Sequence, residues 1–393
     1  MVQGGGAGFD GFIFEAPSWN ASHPLQQGLV WLASNGGHDD PTGAKLADPE
    51  TFRDYAYASI GKTYEFGSAL MQGYYVTKPK QKYFLGCSKG GQEAMAAAAY
   101  YPENYDGVIA QAPASNASGF VARIGSLSAL PLVTSDRWAL LNTTRIARCD
   151  AADGLVDGVV SNPAACDPDP LTLVNWSADE RKTVGSIMSD LTLSDGTVIE
   201  GRRGYGTYID FTAYGLQWMK NVIATDEPNY DGSKFDINRY WPKIKSKADS
   251  ASLDIDPVLL SNYLKQGKKM LVYMGQNDTA LSIKETKEYH SKVATGAGAS
   301  AVNTQLRFFP GVGHCGFTDE VANLGADKAE MLGEMRKWVE KGVAPTDLIA
   351  TRMSATGTTE MTRPICLSGS YPRYNGTGDV TKAENFRCVP EGT

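Results

Sequence analysis

Histidine is the scarcest chemistry-bearing residue of this chain: four in 393, at His23, His38, His290 and His314. With so few histidines, and no C-x-x-C spacing among the six cysteines, a zinc or iron–sulfur reading is weak. No run of about twenty apolar residues occurs, so no membrane partner is expected. Positive charge is also short, with 37 Lys and Arg against 44 Asp and Glu for a net charge of −7. Nucleic-acid affinity needs a concentrated basic surface, so that partner is not expected either. A signal peptide is missing: Met1-Val2-Gln3-Gly4-Gly5-Gly6 goes straight into a glycine-rich loop. An α/β sheet should not begin at such a loop, and the expectation is a chain lacking its natural N-terminus.

What is present suits a large, loop-rich folded chain. Hydrophobic residues make up 42%, enough for a sizeable core in two domains or in one domain with an insertion. Residues 28–34 read as a strand, 49–76 as a long helix, and 83–85 as a short strand ending at Gly86. An alanine-rich helix follows over 94–100, then a strand over 108–110. This alternation predicts a parallel sheet. The rhythm is lost between 115 and 262, which reads as an inserted lid domain rich in aromatics. It resumes at 269–274 and 306–309, with a helix expected near 324–341 and an irregular tail over 350–393. The predicted organisation is an α/β-hydrolase fold built from residues 1–114 and 263–393, with the lid domain over 115–262 between them.

Gly86-Cys87-Ser88-Lys89-Gly90 fits G-x-S-x-G between a strand and a helix, the context that places a nucleophilic serine on a strained turn. In such folds an acid and then a histidine follow the serine. His23 and His38 precede Ser88, and His290 falls mid-helix, which leaves His314 in the loop after strand 306–309 as the base. Asp278, just past strand 269–274, is placed to orient the imidazole, with Asp319 as its competitor. Two backbone N–H donors are needed for an oxyanion. Lys89 supplies one, and the Gly4-Gly5-Gly6 loop, represented by Gly5, the other. A dinucleotide-binding reading of that loop fails on spacing.

Six cysteines can pair in fifteen ways. Cys87 adjoins Ser88 and Cys315 adjoins His314, so a formed triad would bring the two within cystine range. Such a bond would pin nucleophile to base and would imply an oxidising compartment, secreted or periplasmic. Cys366 and Cys388 are expected to staple the tail. Cys149 and Cys166 bracket Asp150, Asp153 and Asp157, spaced as carboxylates that wrap a hard cation, with carbonyls from Leu155 and Val159 completing a structural calcium site.

These residues together resemble the tannase and feruloyl esterase family. Its hallmark is a cysteine beside the catalytic serine bonded to one beside the catalytic histidine, matched here by Gly86-Cys87-Ser88 and Gly313-His314-Cys315. Further matches are Tyr101-Pro102-Glu103-Asn104-Tyr105-Asp106-Gly107 and Arg363-Pro364-Ile365-Cys366. The resemblance covers nearly the whole chain. It implies the pairs Cys87–Cys315, Cys149–Cys166 and Cys366–Cys388, a Ser88–His314–Asp278 triad, and bound Ca2+ on the loop just described. The chain departs from the family at Lys89, where a small or acidic residue is usual, and at Gln92-Glu93, where an arginine-containing pair is usual.

The activity implied is a serine carboxylesterase acting on feruloyl-type aromatic esters, small or carried on polysaccharide. Galloyl esters and mono(2-hydroxyethyl) terephthalate are the alternatives within the family. Trp138 and Trp218 are candidates to sandwich a phenyl ring. A secreted binding protein on an inactive scaffold is the non-enzymatic alternative.

Overall fold

The structure is a computed structural model describing residues 1–14, 23–206, 208–316 and 325–392. Six strands form its central sheet: β1 Val2–Gly4, β2 Trp31–Leu32, β3 Tyr83–Ser88, β4 Gly107–Pro113, β5 Lys269–Gly275 and β6 Thr304–Phe309. Their order is β2-β1-β3-β4-β5-β6, and every pairing is parallel. β3 and β4 are buried almost throughout, so both read as apolar runs and not as alternating ones. The connections reverse direction between β1 and β3, which opens a crevice beyond the carboxyl ends of those two strands. The segment expected to be pure loop at the start of the chain therefore contributes an internal strand. Val2 pairs with both Trp31 and Tyr83.

The helix Lys89–Tyr100 packs on β3 and β4. Residues Ala94–Ala98 are no more than 1% exposed, and the four alanines among them let the helix lie close to the sheet. Between β4 and β5 the chain is mainly helical, with Ala117–Leu127, Ser135–Cys149, Ala178–Ile187 and Ile237–Ser250 among its helices. One hydrophobic cluster lies on the sheet, around Phe84, Val108, Leu271 and Leu306, and these helices gather around a second that also takes in Phe9, Leu46, Phe52 and Tyr55 from the first part of the chain.

Local differences from the sequence expectations have local causes. The helix over 49–76 is interrupted by a wide turn at Asp54–Ala58, where the Ser59 hydroxyl donates to the Asp54 carbonyl at 2.8 Å. The helix near 324–341 begins at Met331. The tail is two antiparallel hairpins, Ile349–Met353 with Thr359–Pro364 and Ser370–Tyr374 with Phe386–Pro390. The Cys366–Cys388 cystine, with Cα atoms 5.6 Å apart, joins the end of one hairpin to the last strand of the other.

Candidate active site

Ser88 ends β3 at φ 61°, ψ −118°, a conformation that costs a non-glycine residue energy and turns its side chain out of the sheet. Two glycines make this turn sterically feasible. A Cβ on Gly86 would sit 2.4 Å from the Gly90 carbonyl oxygen, and one on Gly90 would sit 2.7 Å from that of Gly6. The helix starting at Lys89 then directs its unpaired N-terminal N–H groups toward the same place.

Asp278 follows β5 and is fully buried. Its Oδ1 accepts from the Ala280 and Leu281 N–H groups at 2.8 and 2.9 Å, which fixes the carboxylate. Its Oδ2 lies 2.8 Å from His314 Nδ1. That bond favours the tautomer with a proton on Nδ1 and leaves Nε2 as the basic nitrogen. The loops carrying both residues are laced together, with Gln276 N–H donating to Phe309 O and Asn277 N–H to Val312 O. The Cys87–Cys315 cystine, with Cα atoms 5.9 Å apart, brings Ser88 and His314 to one pocket. His290 is elsewhere: its Nε2 meets Thr304 Oγ1 at 3.1 Å, and burial pushes its pKa down to about 4. Asp319 lies outside the described residues.

The glycine-rich loop needs one correction. The Gly5 N–H is committed to the Leu85 carbonyl at 2.9 Å, as part of the edge between β1 and β3, and cannot face an oxyanion. The Gly6 N–H donates to Glu93 Oε2 at 2.7 Å. Ala7, next along, lines the pocket beside Lys89.

A buried charge cluster supports this loop. Lys89 Nζ lies 2.7 Å from Glu93 Oε1, 3.6 Å from Asp10 Oδ2, and 4.4 Å from the centroid of the Tyr55 ring. The Tyr55 hydroxyl in turn donates to the Gly8 carbonyl at 3.0 Å. Burial, and then the neighbouring Glu93 charge, push the Asp10 carboxyl well above the usual range, with Lys89 opposing them. Two buried carboxyls thus face one ammonium, with Glu93 the nearer to it. The sequence signalled the Lys89–Glu93 pair through its i,i+4 spacing. Nothing local signalled Asp10.

The pocket holds about 390 Å³ and is walled mainly by apolar and aromatic side chains, among them Phe14, Phe120, Phe211, Tyr214 and Trp218. Among the described residues Lys89 is the one Lys, Arg, Asp or Glu in its wall, and Lys89 is already paired. Trp218 is in this wall. Trp138 is not: it stacks on Tyr208 at 4.4 Å within the second cluster and lines a separate small crevice.

The calcium expectation is overturned. Asp150 accepts from the Gly158 N–H at 3.1 and 2.9 Å, and Asp153 from the Leu155 and Ser161 N–H groups at 3.1 and 2.6 Å. Asp157 accepts from the Val159 N–H at 3.0 Å and from Arg363 Nη2 at 2.7 Å. The carboxylates serve as turn caps and as the partner of a distant arginine. Among the described residues no group of three or more His, Cys, Asp or Glu side chains is arranged to hold a metal ion. Asp150, Asp153 and Asp157, with Leu155 and Val159, therefore form a loop closed by its own hydrogen bonds and by the Cys149–Cys166 cystine.

Comparison with known proteins places this geometry in a family. The family model described as tannase and feruloyl esterase matches residues 1–183 and 214–389. A probable feruloyl esterase B-1 of Neosartorya fischeri is 30% identical over 93% of this chain and 76% of its own length. Feruloyl esterase B of Aspergillus niger is 27% identical over 99% of this chain and 81% of its own. Among solved structures, an esterase from Aspergillus oryzae superposes with a TM-score of 0.84 at 25% identity, covering 99% of this chain and 84% of its own. Tannin acyl hydrolase from Aspergillus niger shares the fold, with a TM-score of 0.74 at 21% identity over 99% of this chain and 80% of its own. The chain belongs to the tannase and feruloyl esterase family.

Proposed function

We propose that this protein is a serine carboxylesterase that cleaves esters of aromatic acids of the hydroxycinnamic, feruloyl type through an acyl-enzyme. The observation that carries the reading is the Asp278–His314 hydrogen bond of 2.8 Å at a pocket that also holds Ser88 and is otherwise apolar. The names of its relatives, feruloyl esterase B among them, support the same activity.

His314 Nε2 takes the Ser88 proton as Oγ attacks the ester carbonyl, and the Asp278 carboxylate stabilises the imidazolium. The tetrahedral oxyanion is met by the Lys89 N–H and by the Ala7 N–H, with Gly6 held back by Glu93. Collapse expels the alcohol, which His314 protonates. The same nitrogen then activates water against the acyl ester, and Ser88 regains its proton.

Residues 115–262 act as the lid domain in this reading. They supply Phe120, Phe211, Tyr214 and Trp218 to the pocket, while 1–114 and 263–393 supply the reacting groups. Three cystines and no free cysteine among the described residues support a secreted or periplasmic location. Among the described residues no helix is long and apolar enough to cross a membrane.

The test is a panel of methyl ferulate, methyl gallate and mono(2-hydroxyethyl) terephthalate, run with wild type and with Ser88→Ala. Turnover of methyl ferulate that disappears in Ser88→Ala is expected. Folded, oxidised protein that turns over none of the three supports instead the binding protein on an inactive scaffold.

A further inference from the structure

A second cavity, of about 500 Å³, lies away from Ser88, between the helix Ser135–Cys149 and the start of the helix Ile283–Ala297. Its wall carries five cations, Arg145, Arg202, Arg203, Lys284 and Lys287, against three carboxylates, Asp167, Glu288 and Glu391, and four of the cations are accounted for. Arg202 Nη2 meets Asp167 at 2.5 Å, Arg203 meets Glu200 at 3.1 Å, Lys284 meets Asp190 at 2.5 Å, and Lys287 meets Glu391 at 3.9 Å. Arg145 is different. It is only 4% exposed, and its Nε and Nη1 are buried without a hydrogen-bond partner. Its guanidinium stacks over the Tyr205 ring at 5.0 Å, and the neighbouring carboxylate, Asp167, is taken by Arg202.

A guanidinium cannot shed its proton to escape burial. Stacking on one ring returns less than the loss of water costs, so a buried arginine is normally paired with an anion. Here the side chain borders a cavity large enough for a small molecule, with Lys287 at its half-exposed side. We propose that this cavity is a binding site for a small oxyanion, carboxylate or sulfate, with Arg145 as its central ligand. The site is separate from the ester pocket and shares none of its lining residues. Two sources carry this chemistry: a free inorganic anion, and the carboxylate of an acidic sugar.

The experiment is thermal unfolding and calorimetric titration of the full oxidised chain with sodium sulfate, sodium acetate and sodium galacturonate. Ionic strength is held constant with sodium chloride. At least one oxyanion is expected to raise the unfolding midpoint saturably by about 3 °C, as ligand linkage requires. In Arg145→Met, whose fold is checked by circular dichroism, the shift is expected to vanish. Tightest binding of galacturonate assigns the site to an acidic sugar, and tightest binding of sulfate to an inorganic anion. No saturable shift with any of the three overturns the proposal, as does an equal shift in the variant. If Arg145→Met does not fold, Lys287→Ala decides. A several-fold rise in the half-saturating concentration supports the site, and an unchanged value overturns it.

Discussion

Cys87 and Cys315 are bonded across 228 residues of sequence, so the residue before Ser88 is covalently tied to the residue after His314. Both cysteines are buried, and Cys315 holds a left-handed backbone at φ 55° that sets the exit of the chain from His314. Replacing both by alanine is expected to lower stability by about 3–5 kcal/mol, the range for closing a long loop. Activity should fall through kcat by about tenfold or more, because the bond fixes the positions of Ser88 and His314 relative to each other. Urea unfolding together with steady-state kinetics on methyl ferulate measures both.

Lys89 is the second point of leverage. In Lys89→Met the Glu93 carboxylate loses its counter-charge while still holding the Gly6 N–H, so uncompensated negative charge faces the developing oxyanion. The expected loss is about tenfold to a hundredfold in kcat, in proportion to one impaired oxyanion contact. The double variant Lys89→Met/Glu93→Gln removes the excess charge and should recover stability relative to the single variant. If the double variant is the less stable of the two, the charge argument fails.

Asp10 makes stability depend on pH. Its carboxyl is raised in the folded protein, so the native state binds more protons than the unfolded chain. The stability it contributes is fully present below the unfolded value near 3.8 and is lost as pH rises through the raised folded value. Asp10→Asn should flatten that decline. As pH rises above the unfolded value, unfolding midpoints should fall less steeply in the variant than in wild type.

His290 has the opposite sign. Burial holds it neutral, with a pKa of about 4 against 6.5 for the free side chain. The unfolded state binds the extra proton between those values, so wild type loses up to about 3 kcal/mol on acidification from pH 6.5 to 4. His290→Gln should remove most of that slope, as read by denaturant titration at pH 4.5 and pH 7.

The pocket wall predicts a substrate order. A free carboxylate on the acyl ring would find one cation, Lys89, and that cation is already bound by Glu93. Methyl ferulate should therefore exceed mono(2-hydroxyethyl) terephthalate in kcat/KM by about tenfold or more. Trp218→Ala should raise KM for methyl ferulate several-fold, while Trp138→Phe should leave it unchanged.

The strand, turn and helix about Ser88 were legible because G-x-S-x-G falls between an apolar run and an alanine run. Asp278 and His314 were legible as an acid and a histidine in the loops that follow two apolar strands. What escaped depends on partners far along the chain. Gly5 loses its N–H to Leu85 through the β1–β3 register, and three residues of apparent strand at Val2 look like loop without that partner. The loop over 150–159 has the composition of a cation site, yet part of its negative charge answers Arg363, 206 residues away. Trp138 and Trp218 are equivalent as letters and pack in the same cluster, and they differ only in which cavity each lines. The hairpins of the tail carry too few apolar residues for alternation to show before Cys366 and Cys388 join.

Phe120 and Phe211 pack against both hydrophobic clusters and also face the pocket. The cavity is therefore a seam, one side of which belongs to the sheet and the other to the inserted helices. Mutations on the helical side can reshape what enters without disturbing the bonds that make and break the acyl ester. Selectivity in such a molecule can drift while its chemistry stays fixed. A relative's preferred ester should thus be transferable by grafting its inserted helices, with these two phenylalanines kept as the joint.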